Sequence, residues 1–162
     1  VTSSTSQTRC KYVTALEAVY GAPSQSAFGS AVFYEKTVDD LEQAALAKYR
    51  YFIGELWERY GEAAWLSQWK EVYTRQPDTS ADIVAELRGI TDQAAQLSVP
   101  MILDAVQDAE KARAALAAAF DDAAVKELSV YTIGDGAAMS GLLIAARRAA
   151  TGESTFLVFL LD

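Results

Sequence analysis

The chain has 162 residues and not one histidine. That absence removes the Ser-His-Asp and Cys-His nucleophile systems and every histidine-based zinc or iron site. It also removes the side chain that most often moves protons near neutral pH. Any catalysis would rest on carboxylates, Lys, Tyr, Ser or a bound cofactor. Cysteine occurs once, at Cys10, so no intrachain disulfide forms, in keeping with a reducing compartment. Arg9 and Lys11 flank Cys10 and favour its thiolate, but its place beside a polar tail argues against a shared catalytic site. Basic residues are few: 14 Lys and Arg against 22 Asp and Glu, a net charge of −8. An acidic surface repels phosphate backbones, and no basic cluster overrides it, so nucleic acid is not an expected partner.

Long apolar runs are missing too. None approaches the roughly 18 uninterrupted residues of a membrane span, so no membrane association is expected. The opening VTSSTSQTR has no apolar stretch of an export signal. The expected location is cytoplasmic, although a start at Val1 is also compatible with an upstream segment and export.

About half the residues are apolar, and the length suits one core. Residues 1–10 read as a flexible polar tail and 11–162 as a single α+β domain. Lys11–Tyr20 has helical spacing and ends at Gly21-Ala22-Pro23, and Ala31–Tyr34 is a brief β-prone run. Thr37-Val-Asp-Asp40 matches a capping box with Thr37 as N-cap. Leu41, Ala45, Tyr49, Phe52, Leu56 and Tyr60 then form one helical stripe; Trp65, Leu66, Trp69, Val72 and Tyr73 form a second. A cap at Thr79–Asp82 introduces a helix through Ile83, Leu87, Ile90 and Leu97, weakened by Gly89. Ser98 and Pro100 suit the start of a further helix reaching Phe120.

The periodicity changes after Leu128. Ser129–Ile133 is β-branched and aromatic, Gly134-Asp135-Gly136 and Thr151-Gly152-Glu153 are turn signals, and Phe156–Leu161 is a continuous apolar run. The expectation is a three-stranded antiparallel meander with N-terminal helices packed on it. The rival reading makes residues 137–149 a helix. The last strand is apolar on both sides: Phe156, Val158 and Leu160 on one, Leu157, Phe159 and Leu161 on the other. It needs cover on both faces and partners on both edges, so a strand from Ala31–Tyr34 or from a second copy is expected beside it.

Candidate sites are few. Tyr51 and Trp57 fall off the stripe that buries Tyr49 and Phe52, so they meet a ligand, a partner or another element. Trp65 and Trp69 belong to the same aromatic band, which could supply a binding surface. Arg147 and Arg148 face opposite ways on a strand and could reach Glu153, Asp162 or an anionic ligand. Asp104 and Asp108 are a helical turn apart but sit off the apolar stripe and read as solvated, as do Glu55, Glu58 and Glu62. Without a Glu-x-x-His motif a carboxylate di-metal bundle is discarded, and Gly134–Gly136 lacks the ligand pattern of a calcium or phosphate loop. Ser140 and Lys126 would make a Ser–Lys pair only if the fold joined them. No catalytic residue, metal or cofactor is assigned. The expected function is a non-catalytic binding or protein-interaction module, a homodimer or the partner of another protein. The alternative is a small-molecule sensor or enzyme with a pocket between the aromatic helices and the sheet.

Overall fold

A computed structural model describes residues 11–76, 78, 80–135 and 138–161. The tail 1–10, Cys10, Thr79, Gly136 and Asp162 lie outside the described residues. The elements in chain order are α1 (Lys11–Tyr20), β1 (Gly29–Glu35), α2 (Leu41–Ile53), α3 (Leu56–Tyr60), α4 (Glu62–Leu66) and β2 (Lys70–Thr74). They continue with α5 (Ile83–Arg88), α6 (Gln93–Leu103), α7 (Ala109–Phe120), β3 (Val125–Gly134), β4 (Ser140–Arg148) and β5 (Ser154–Leu161). The fold is α+β, with the five strands in one antiparallel sheet of order β1-β5-β4-β3-β2.

The two-faced apolar strand β5 decides this arrangement. Its Phe156, Val158 and Leu160 join Tyr49, Phe52, Trp57 and Trp65 of α2–α4 in one core. Leu157 and Phe159 join Leu16, Ile102, Leu116 and Phe120 of α1, α6 and α7 in the other. β4 pairs along one edge of β5, and β1 along the other, with Phe33 opposite Phe156. The strand expected near Ala31–Tyr34 therefore closes the edge within one chain.

Several expectations are corrected. The sheet has five strands, where a three-stranded meander with an added strand from Ala31–Tyr34 or a second copy is expected, and helices cover both its faces. Residues 140–148 are a strand, which settles the meander against the helical rival. The stripe expected to run helically from Trp65 to Tyr73 breaks after Leu66, and Lys70–Thr74 pairs with β3. Val72, Tyr73 and Thr74 favour the extended state once an open edge of β3 is beside them. Asp40, not Thr37, caps α2, its Oδ1 accepting the Gln43 N–H at 3.2 Å. The helix expected over Ile83–Leu97 is two: Gly89 ends α5 and Asp92 caps α6. Pro100 lies inside α6 and Ser98 is buried in it, while α7 starts afresh on Asp108. Pro100 removes the N–H that would meet the Gln96 carbonyl, and α6 stops at Leu103.

Both sheet edges are protected. β2 is short, charged at Lys70 and Glu71, and bulged between Glu71 and Tyr73. On β1 the Val32 N–H donates outward to the Gly21 carbonyl at 2.9 Å.

The sheet interior is tightest at Gly141. A Cβ there would fall inside the Phe159 carbonyl group and within 2.8 Å of Leu160 Cα, both on the neighbouring strand backbone. No rotamer relieves that overlap. Gly141→Ala is expected to cost about 3 kcal/mol, lowering the thermal midpoint by roughly 10 °C. Urea unfolding followed by circular dichroism checks it.

Candidate interaction site

The aromatic band is organised by Tyr49 on the buried face of α2. Its hydroxyl donates to the Trp65 carbonyl at 2.9 Å and accepts the Gly134 N–H at 3.1 Å. Burial pushes that hydroxyl above the ordinary tyrosine range, so it stays a neutral donor. Its ring meets Trp57 edge-on at 5.3 Å and stacks on Trp69 at 5.7 Å; Trp69 in turn stacks on Tyr131 at 4.5 Å. Trp65 is fully buried and donates from Nε1 to the Leu56 carbonyl at 2.9 Å. Trp69 is half-buried and donates to Glu42 at 3.1 Å. Rings thus fill the space between the aromatic helices and the sheet. Tyr60, placed on the buried stripe by its spacing, is exposed and leans on Trp65, because Gly61 breaks the helix directly after it.

Tyr51 leaves that stripe, whereas Trp57, on α3 beyond the break at Gly54, joins the Tyr49 core; both line one hollow of about 460 Å³ on the outer side of α2 and α3. Gly54 forms part of its wall. Tyr51 is half exposed and meets Phe33 edge-on at 5.8 Å. Trp57 is nearly buried, with the Arg50 guanidinium 5.9 Å over its ring. The hollow faces solvent and does not lie between the aromatic helices and the sheet.

Arg147 and Arg148 do leave β4 on opposite faces. Arg147 donates to the Val38 carbonyl at 2.7 Å and to Glu127 at 3.0 Å. Arg148 lies 4.5 Å over the Tyr12 ring and donates to Asp122 at 3.3 Å. Among the described residues their carboxylate partners are Glu127 and Asp122 and not the expected Glu153, Asp162 lying outside the described residues, and both arginines hold loops onto the sheet. Asp104 receives Arg88 and Arg113, and Asp108 caps α7. Ser140 sits opposite Gly134 and Lys126 at the far end of β3, roughly 27 Å away at strand rise, which removes the Ser–Lys pair. Among the described residues no group of three or more Cys, Asp or Glu could hold a metal ion, and no helix is long and apolar enough to cross a membrane.

Two features escaped the sequence reading. One is a buried ion pair. Arg75, just past β2, donates to both Glu86 oxygens at 2.8 and 2.6 Å and to the Phe120 carbonyl at 2.8 Å. Tyr73 adds a bond to Glu86 at 2.5 Å. Burial alone would raise the Glu86 carboxyl, but the hydrogen bonds from Arg75 and Tyr73 and the Arg75 charge outweigh it and hold it below the usual range. The pair ties β2 and α5 to the end of α7. Arg75 and Glu86 are eleven positions apart with residues of mixed character between them, so no spacing rule announces the pair.

The other is the outer face of α6. Leu97 is 76% and Met101 41% exposed, with Ala94 and Pro100 exposed beside them. The opposite face buries Ala95, Val99 and Ile102. α6 is the only described helix without a charged residue. Gln93 and Gln96 are its only exposed polar side chains, and the expected break at Ser98 divides the stretch between two helices.

Removing one member of a buried pair leaves the other charge uncompensated, at a cost of about 3–5 kcal/mol. Glu86→Gln is expected to lose stability on that scale in urea melts at neutral pH. The depressed Glu86 carboxyl gives stability that is present above its unfolded-state value and is lost as pH falls through the lower folded value. Wild type should therefore lose stability below the ordinary carboxylate range more steeply than the variant does.

No known protein family matches the chain, and neither does any curated protein or any solved structure.

Proposed function

We propose that this protein is an interaction module that docks a protein partner on the outer face of α6. The observation that carries the reading is the 76% exposure of Leu97 on a helix with no charge, in a chain of net charge −8. Single exposed leucines are ordinary. Here Leu97 is joined by Ala94, Pro100 and Met101, with no charged side chain of α6 among them. Apolar patches rimmed by polar groups are the usual mark of a protein contact. The rim is present: Lys70 bonds Asp92 at one end of α6, and Arg88 and Arg113 bond Asp104 at the other. The absence of histidine keeps a binding role ahead of acid–base catalysis.

A photoreactive phenylalanine analogue in place of Leu97 is expected to form a discrete protein adduct on irradiation of intact cells, identified by mass spectrometry. Met101→Glu in the same chain should diminish the adduct. If position 97 yields no more adduct than the same probe at exposed Lys126, this reading fails.

A second reading, a small-molecule site at the hollow beside Gly54, is favoured by the convergence of Tyr51 and Trp57 on it. For that reading, tryptophan fluorescence and thermal midpoint should respond to a compound from a metabolite panel, and Tyr51→Ala should abolish the response. A flat result across the panel sets it aside.

A further inference from the structure

We infer that the occupant of the α6 face is a second copy of this chain, paired antiparallel about a two-fold axis that passes between Leu97 and Ser98. The inference rests on the interaction reading above and names the partner.

Three observations converge on it. The first is electrostatic. Two copies of a chain with net charge −8 repel, so they approach only through a patch that carries no charge. Among the described helices α6 alone offers one.

The second is shape. At 100° per residue, Ala94 and Met101 lie within about 20° of one another on one flank of α6, two turns apart, with Leu97 between them near the crest. A two-fold axis in the interface plane and perpendicular to the helix returns each flank to the same side and reverses direction. Each exposed Met101 then covers the partner's Ala94, large on small, and the two Leu97 side chains meet at the axis. An isologous contact requires this self-complementarity, and one sequence satisfies it with both members of each pair.

The third is the rim. The C-terminal end of α6 has two arginines around one aspartate, Arg88 and Arg113 on Asp104, while the N-terminal end has the neutral pair Lys70–Asp92. Parallel pairing would set the surplus positive charges together; antiparallel pairing sets each against the neutral end of the partner. It also aligns the helix macrodipoles head to tail.

Size fixes the strength. α6 is about 16 Å long, and its crest alone covers less than the roughly 800 Å² per partner of a standard interface. The flanking hollow between α5 and α6, lined by Leu87, Arg88, Gln96, Val99 and Pro100, extends the contact. The dimer is therefore weak and concentration-dependent.

Sedimentation velocity on the purified full chain, from about 10 µM to about 1 mM, is expected to show a reversible monomer–dimer equilibrium. Leu97→Glu should leave only monomer. Met101→Ala should weaken the dimer about tenfold, and Ala94→Met, which sets two long side chains against each other, by at least as much. The double variant A94M/M101A restores one large and one small residue to every pair and should return to within about threefold of wild type. All three positions changed here are exposed, and circular dichroism and thermal midpoints of the variants should match wild type. A wild-type chain that stays monomeric throughout overturns the inference, as does a Leu97→Glu variant that still dimerises. A double variant no better than its singles overturns the antiparallel pairing. If the chain is monomeric while the position-97 probe captures a different protein, the interaction reading stands and the second copy is excluded; if the probe captures nothing, both fall.

Discussion

A strand apolar on both sides cannot rest against a single layer. Every side chain from Phe156 to Leu160 is buried, and at about 1.5–3 kcal/mol for each large apolar side chain removed from water, leaving either face open would forfeit several kcal/mol. β5 therefore requires helices above and below and a strand on each edge. α2–α4 answer one face and α1, α6 and α7 the other; β4 and β1 take the edges. Gly141 lets β4 come close enough to seal the sheet at this point.

The parts of the fold that could be read from the residues are those where period and chemistry agree. β5, the two turns before it, the meander, the short strand at Ala31–Tyr34 and the buried stripe of Tyr49 and Phe52 all follow from local pattern. The misread parts are those where tertiary context decides. Val72 and Tyr73 fit a helical stripe begun by Trp65, and only the free edge of β3 makes them a strand. Ser98 and Pro100 look like a helix start, yet Asp92 and Asp108 supply the actual caps. At the candidate site the off-stripe position of Tyr51 follows from the period, but Trp57 joins the Tyr49 core because Gly54 breaks the helix between them. Leu97 and Met101 share one face only because the helix runs through Ser98 and Pro100, residues whose local pattern matches a helix start.

Charge placement fits the same picture. Arg75, Arg88, Arg113, Arg147 and Arg148 each hold a carboxylate within 4.0 Å. With these cations engaged inside the chain, the unmatched acids face outward and most of the surface repels a like-charged neighbour. The neutral stretch of α6 stands out against that background.

β5 has one more consequence, and it concerns time. It comes later in the chain than β1, β4 and every helix it touches, and its partner β1 lies more than a hundred residues earlier, with Phe33 opposite Phe156. A chain made from its N-terminus folds domain by domain as it emerges. Here neither core can close until Leu160 has been synthesised. Until then α2 and α7 expose the faces that carry Tyr49, Phe52, Leu116 and Phe120 to the surrounding medium. Closure of both cores waits on β5, and during that interval a growing chain has greater need of a chaperone than the folded one does.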